Sequence, residues 1–190
     1  MAFWEKTRWN FRENLVGILH FCPVFMEKNV PLTGAPGALL GEYHRALQEL
    51  SRLIEPLDAA TLTAVADPDT ADTDCRSIQT VLAHVVRAGF CYAMDIRKKQ
   101  GEQWTFPARV FSDNAAEFVA DLERMFHFTE QVFRDYPDLP LETIDPAEKM
   151  LTPWGQVYDV EQLLEHAIVH ILRHRRQIER FLLKIREKQV

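Results

Sequence analysis

The segment EHAIVHILRHRRQI, residues 165–178, sets His166, His170 and His174 four residues apart. On a helix that spacing puts each imidazole about one turn beyond the last, so neighbouring rings can meet on one cation. Neutral imidazole is a good ligand for zinc, nickel, copper or iron. Helical phase separates the three. With about 100° per residue and His170 at zero, Val160, Leu163, Leu164, Ala167, Ile171, Ile178, Phe181 and Leu182 fall between about 20° and 120°. His174, at about 40°, lies inside this apolar arc, and His170 lies on its edge. His166, at about -40°, is about 120° from the centre of the arc and faces solvent. The inward-facing pair is therefore His170 and His174.

Two histidines are too few for a good site, so a third ligand must come from another helix. The same test on the preceding apolar stripe, Ile78, Val81, Leu82, Val85, Gly89, Tyr92 and Ile96, places His84 about 100° from its centre. That edge position can meet the pair across the mouth of a bundle. The plainer account of such histidines is a hydrogen bond to a carbonyl or carboxylate, and the pattern alone leaves both open. Two other metal signatures are excluded. There is no HExxH, and neither Glu161 nor Glu165 has a histidine three residues later, as di-iron bundles require. GAPGALLG (34–41) lacks the Lys-Ser/Thr ending of a phosphate-binding loop.

The elements that must position these side chains are helical. Leu39, Leu40, Tyr43, Ala46, Leu47, Leu50, Leu53 and Ile54 recur at three-and-four spacing from about 36 to 55, where Pro56 stops the helix. An Asp/Thr/Ala-rich loop with at most one short turn follows. The second helix opens between Asp74 and Ser77 and runs to about Gln100. The third opens at SDN (112–114), with Glu117 placed for a capping box, carries Phe118, Val119, Leu122, Met125, Phe126, Val132 and Phe133, and stops at Pro137. After a loop with four prolines, Asp159 and Gln162 cap the last helix. No stretch shows strand alternation. The expected class is all-α, a four-helix bundle over residues 33–190. An N-terminal extension, 1–32, is expected to be helical from Trp4, Trp9, Phe11, Leu15, Ile18 and Leu19.

Composition bounds the rest. The chain has 190 residues, enough for one well-buried core, with 47% hydrophobic and 26% charged residues and a net charge of -6. A negative chain repels bulk nucleic acid, and its one basic cluster, Arg173, Arg175, Arg176 and Arg180, reads as a solvated helix end. Three cysteines without a CxxC pair argue against a disulfide framework and for a reducing cytoplasm. The longest apolar stretch, 15–26, is too short to span a membrane and contains His20 and Pro23. The first residues lack the layout of a signal peptide.

SIQTVLAHVVRA (77–88) together with WGQVYDVEQLLEHAIVHILRHRRQI (154–178) resembles the DinB-like superfamily of four-helix bundles, and LLGEYHRALQELSRLIEPLD (39–58) is similar to its first helix. The group includes bacillithiol S-transferases and metal-dependent hydrolases. The resemblance implies a metal triad of one histidine in the second helix and an HxxxH pair in the last, which fall here on His84, His170 and His174. Arg173 stands where many members carry a further histidine. It also implies a divalent transition metal, zinc or nickel, a low-molecular-weight thiol as co-substrate, a small electrophile as substrate and a homodimer. Three histidines leave coordination positions open for chemistry. The expected function is a metal-dependent thiol S-transferase. The alternatives are a hydrolase in which the metal activates water and a bundle that binds metal or ligand without turnover. No general base is evident. His166, Trp154 and Tyr158 are expected at the pocket rim.

Overall fold

The computed structural model describes residues 32–187. The expected N-terminal helical segment lies outside the described residues apart from Leu32, as do Cys22 and His20.

Periodic apolar spacing becomes four long helices and one short one. Helix α1 is Gly34–Ile54, α2 is Ala59–Thr63, α3 is Ile78–Lys99, α4 is Ala115–Asp135 and α5 is Val160–Glu187. Each long helix packs against two others: α1 and α3 each lie against both α4 and α5. The fold is all-α and bundle-like. Its centre is the predicted stripes: Tyr43, Leu47, Leu50, Ile54, Val81, Leu82, Val85, Phe118, Leu122, Met125, Leu163, Ile171 and Ile178 are all buried. Full burial of a side chain of that size contributes about 1.5–3 kcal/mol, which outweighs the weak helix propensity of the β-branched members.

The helix starts follow local hydrogen bonding. Ser77 and Thr80 form a reciprocal capping box on α3. Asp159 Oδ1 accepts from Gln162 N–H (2.9 Å) and Gln162 Oε1 from Asp159 N–H (3.2 Å), the box expected for α5. At α4 the expected box takes another form. Asn114 is the cap and accepts from Ala116 N–H, while Glu117 accepts the Ser112 hydroxyl, which itself accepts from Asn114 N–H. The loop after α1 contains the single short helix, α2, capped by Asp58.

Two features escape a periodicity argument. A 3-10 turn, Thr73–Cys75, precedes α3 and is pinned by bonds from Ala66 and Asp67 N–H to Arg76 O. A hairpin of β1 (Met150–Leu151) and antiparallel β2 (Val157–Tyr158) precedes α5. Two residues per strand are too few to alternate visibly. Gly155, with φ of 84°, supplies the turn that an L side chain rarely adopts. Among the described residues, no helix is long and apolar enough to cross a membrane. The basic cluster is mostly solvated, as expected, except that half-buried Arg175 pairs with Glu49 of α1.

Candidate metal centre

Where α3 meets α5, His84 and the His170–His174 pair face one another. The ligand atoms of the three histidines all lie within 4.8 Å of one another. His84 Nε2 is 2.9 Å from His170 Nε2, and His174 Nε2 is 3.1 Å from the same atom. Nitrogens sharing one ion at about 2.0–2.1 Å must stand roughly 3 Å apart, so the spacing suits a common cation. The phases hold as well: His174 is buried at 6% exposure, while His170 and His84 are half-buried edge positions.

The other ring nitrogens decide which atoms are free to ligate. His174 Nδ1 lies 2.9 Å from Gln177 Oε1, and His84 Nδ1 lies 3.3 Å from Asp74 Oδ2. Both partners are oxygen acceptors, so a hydrogen on each Nδ1 would find a partner there and leave both Nε2 atoms with lone pairs. His170 Nε2 is then the nitrogen that can carry a hydrogen at the centre, and one N–H can point fully at only one of its two neighbours. A cation serves all three lone pairs together. The donor set fits a divalent transition metal on this ground.

Electrostatics favours the neutral form of all three imidazoles, the form that metal ligation would need. Burial, with the neighbouring histidines second, pushes His170 down to about 2. Burial brings His174 down to about 4, against the Gln177 bond, which favours its charged form. His84 is also lowered by burial, partly countered by Asp74.

His166 stays out of the triad but does not simply face solvent. Its ring stacks on Trp154 (5.2 Å between centroids, 21°) and lies nearly parallel to His170 at 6.1 Å. Tyr158 Oη is 3.4 Å from His166 Nδ1. Tyr92 stands almost perpendicular to Trp154, His166 and His170 in turn. These rings form a wall that runs from the half-exposed Trp154 of the hairpin to His170. Trp154, Tyr158 and His166 thus lie ring against ring beside the histidine cluster. His44 is exposed and stacks on Phe126, and His127 is exposed beside Glu130, so neither joins the site.

Sequence reasoning missed Asp74, Arg109, Gln177 and the role of Tyr92. Gln177 follows His174 by three residues, a neighbouring position on one helix face, while Tyr92 follows His84 by eight, about two turns on and about 80° round the helix. Asp74 sits on the 3-10 turn and Arg109 on the segment between α3 and α4, where no periodicity predicts an approach. No family model, curated protein or solved structure matches the chain.

Proposed function

We propose that this chain is a divalent-metal-binding protein of DinB-like type, a thiol S-transferase acting on small electrophiles, with zinc or nickel held by His84, His170 and His174. The observation that carries the reading is the convergence of three Nε2 atoms while two of the Nδ1 atoms are held by oxygen acceptors. Three protein ligands are the number expected of a catalytic rather than a closed structural centre. A bound metal of this kind depresses the pKa of a coordinated thiol or water and stabilises negative charge. The protein's part is positional. The three imidazoles, kept neutral by burial, offer their lone pairs to one point, and Gln177 fixes the orientation of His174. Tyr92, Trp154, Tyr158 and His166 supply an aromatic wall against which the carbon skeleton of a substrate can lie. The resemblance of residues 77–88 and 154–178 to a superfamily that includes thiol S-transferases supports thiol as the nucleophile, with water, as in its hydrolases, the alternative.

The test is consumption of a chromogenic aryl chloride by a panel of thiols, including glutathione, cysteine and bacillithiol, with zinc- or nickel-loaded protein. Faster loss of free thiol with at least one of them, abolished by a chelator and in His170→Ala, supports the reading. Background rates with every thiol refute transfer, and cleavage of an ester panel without thiol would favour the hydrolytic alternative.

A further inference from the structure

His84 is the triad member with the least local support. His170 and His174 are one turn apart on the same helix, so their spacing follows from α5 itself. His84 comes alone from α3, and its side chain is 29% exposed. A ring on the rim of a bundle needs something besides packing to hold its rotation and to decide which nitrogen carries hydrogen.

The residues around Nδ1 provide it. Asp74 Oδ2 stands 3.3 Å from His84 Nδ1, an ion-pair contact slightly longer than the usual N–H···O hydrogen bond of about 2.7–3.2 Å. Asp74 is not a loose surface acid. It is 18% exposed, and the 3-10 turn that carries it is closed by its own N–H bond to Asp72 Oδ1 and by Cys75 N–H to Asp72 O. The same Oδ2 accepts from the Arg109 guanidinium, which belongs to the segment between α3 and α4. That segment is tied back to α3 by Arg87 Nε–H donating to Pro107 O (2.8 Å). The carboxylate is thus fixed from two sides before any ligand arrives.

We propose that Asp74 is a positioning residue: it holds His84 with hydrogen on Nδ1, so that the Nε2 lone pair is directed at His170 and His174. The inference rests on the metal-site reading for its consequence, tighter cation binding, but the tautomer it specifies exists without any ion. Outer acceptors of this kind fix ring orientation, and their loss typically weakens metal affinity about 10–100-fold. Asp74 also places a negative charge one imidazole away from the bound cation. Asn at this position keeps an oxygen acceptor without the charge and separates the two contributions.

The experiment has two readouts on the full chain. In metal-free protein at neutral pH, long-range nitrogen–proton NMR of the imidazoles should show His84 with hydrogen on Nδ1, and Asp74→Ala should convert it to a mixture or to the Nε2–H form. Zinc affinity by chelator competition should fall about 10–100-fold in Asp74→Ala and less in Asp74→Asn. Asp69→Ala, which removes an exposed acid from the same connection, should stay within about threefold of the native protein. A native His84 with hydrogen on Nε2, or an unchanged tautomer in Asp74→Ala, overturns the proposal. So does an equal loss of zinc affinity in Asp69→Ala. If the native protein takes up no zinc, the metal reading fails, and the NMR signal alone then decides for or against Asp74.

Discussion

His84 Nε2 and His170 Nε2 meet at 2.9 Å although the two residues are separated by 86 positions in the chain. Neither helix requires this of the other. The register arises because the apolar stripes of α3 and α5 pack together, with Val81, Leu82 and Val85 buried on one and Leu163, Ala167 and Ile171 on the other. Edge positions of the two stripes are thereby brought face to face, and in this chain they carry imidazoles.

His166 distinguishes a ligand from a wall residue. His166→Ala removes the ring stacked between Trp154 and His170 but none of the three converging nitrogens. Zinc affinity should change by no more than about threefold, under 1 kcal/mol, while the Michaelis constant for an aromatic electrophile rises. Isothermal titration with zinc checks the first outcome. Loss of binding as large as in His170→Ala would place His166 in the coordination set.

The metal-free protein should be acid-sensitive in a defined window. His170 and His174 are pushed from 6.5 to about 2 and about 4 by burial, so between those values and 6.5 the unfolded chain binds more protons than the folded one. Stability therefore rises with pH across that interval. The contribution is fully present above about 6.5 and is lost progressively as pH falls toward 4 and below. Denaturant titrations at pH 7.5, 6 and 5 should show a falling midpoint, with less fall in His170→Phe. A midpoint that rises on acidification would contradict buried neutral imidazoles.

Gly89 sets how closely α3 approaches α4. A Cβ there would stand 2.8 Å from Met125 Cγ and closer still to its Sδ. Met125 is fully buried and its sulfur accepts the Tyr43 hydroxyl, so it has little freedom to retreat. Gly89→Ala gains about 0.5–1 kcal/mol of helix preference, but overpacking typically costs about 1–3 kcal/mol. The net expectation is a loss of about 1–2 kcal/mol, read as a lower melting temperature. A stabilised variant would show that Met125 can move aside.

Much of this molecule is readable from sequence because its information is periodic. The stripes of α1, α3, α4 and α5 name the buried residues, and the Asp159–Gln162 box marks where α5 begins. Helical phase alone sorts His174 as buried, His170 as edge and His166 as outside the triad. What escaped was held by non-periodic chain. Asp74 reaches His84 from a three-residue turn, and Arg109 reaches Asp74 from the irregular segment that follows α3, 35 positions along the chain. The hairpin that carries Trp154 to the site has two residues per strand, below the length at which alternation can be seen. Phase also assigned His166 to solvent, because a wheel cannot foresee a loop that folds back over a helix face.

If His84, His170 and His174 hold one divalent transition metal, the bound ion can be counted. Equilibrium dialysis of the purified full chain against zinc or nickel, followed by metal analysis, measures it directly. The native protein should hold one metal per chain, and His84→Ala, His170→Ala and His174→Ala should each lose that equivalent with helix content unchanged by circular dichroism. Full metal content in any of the three variants, or none in the native protein, would contradict a site shared by the three histidines.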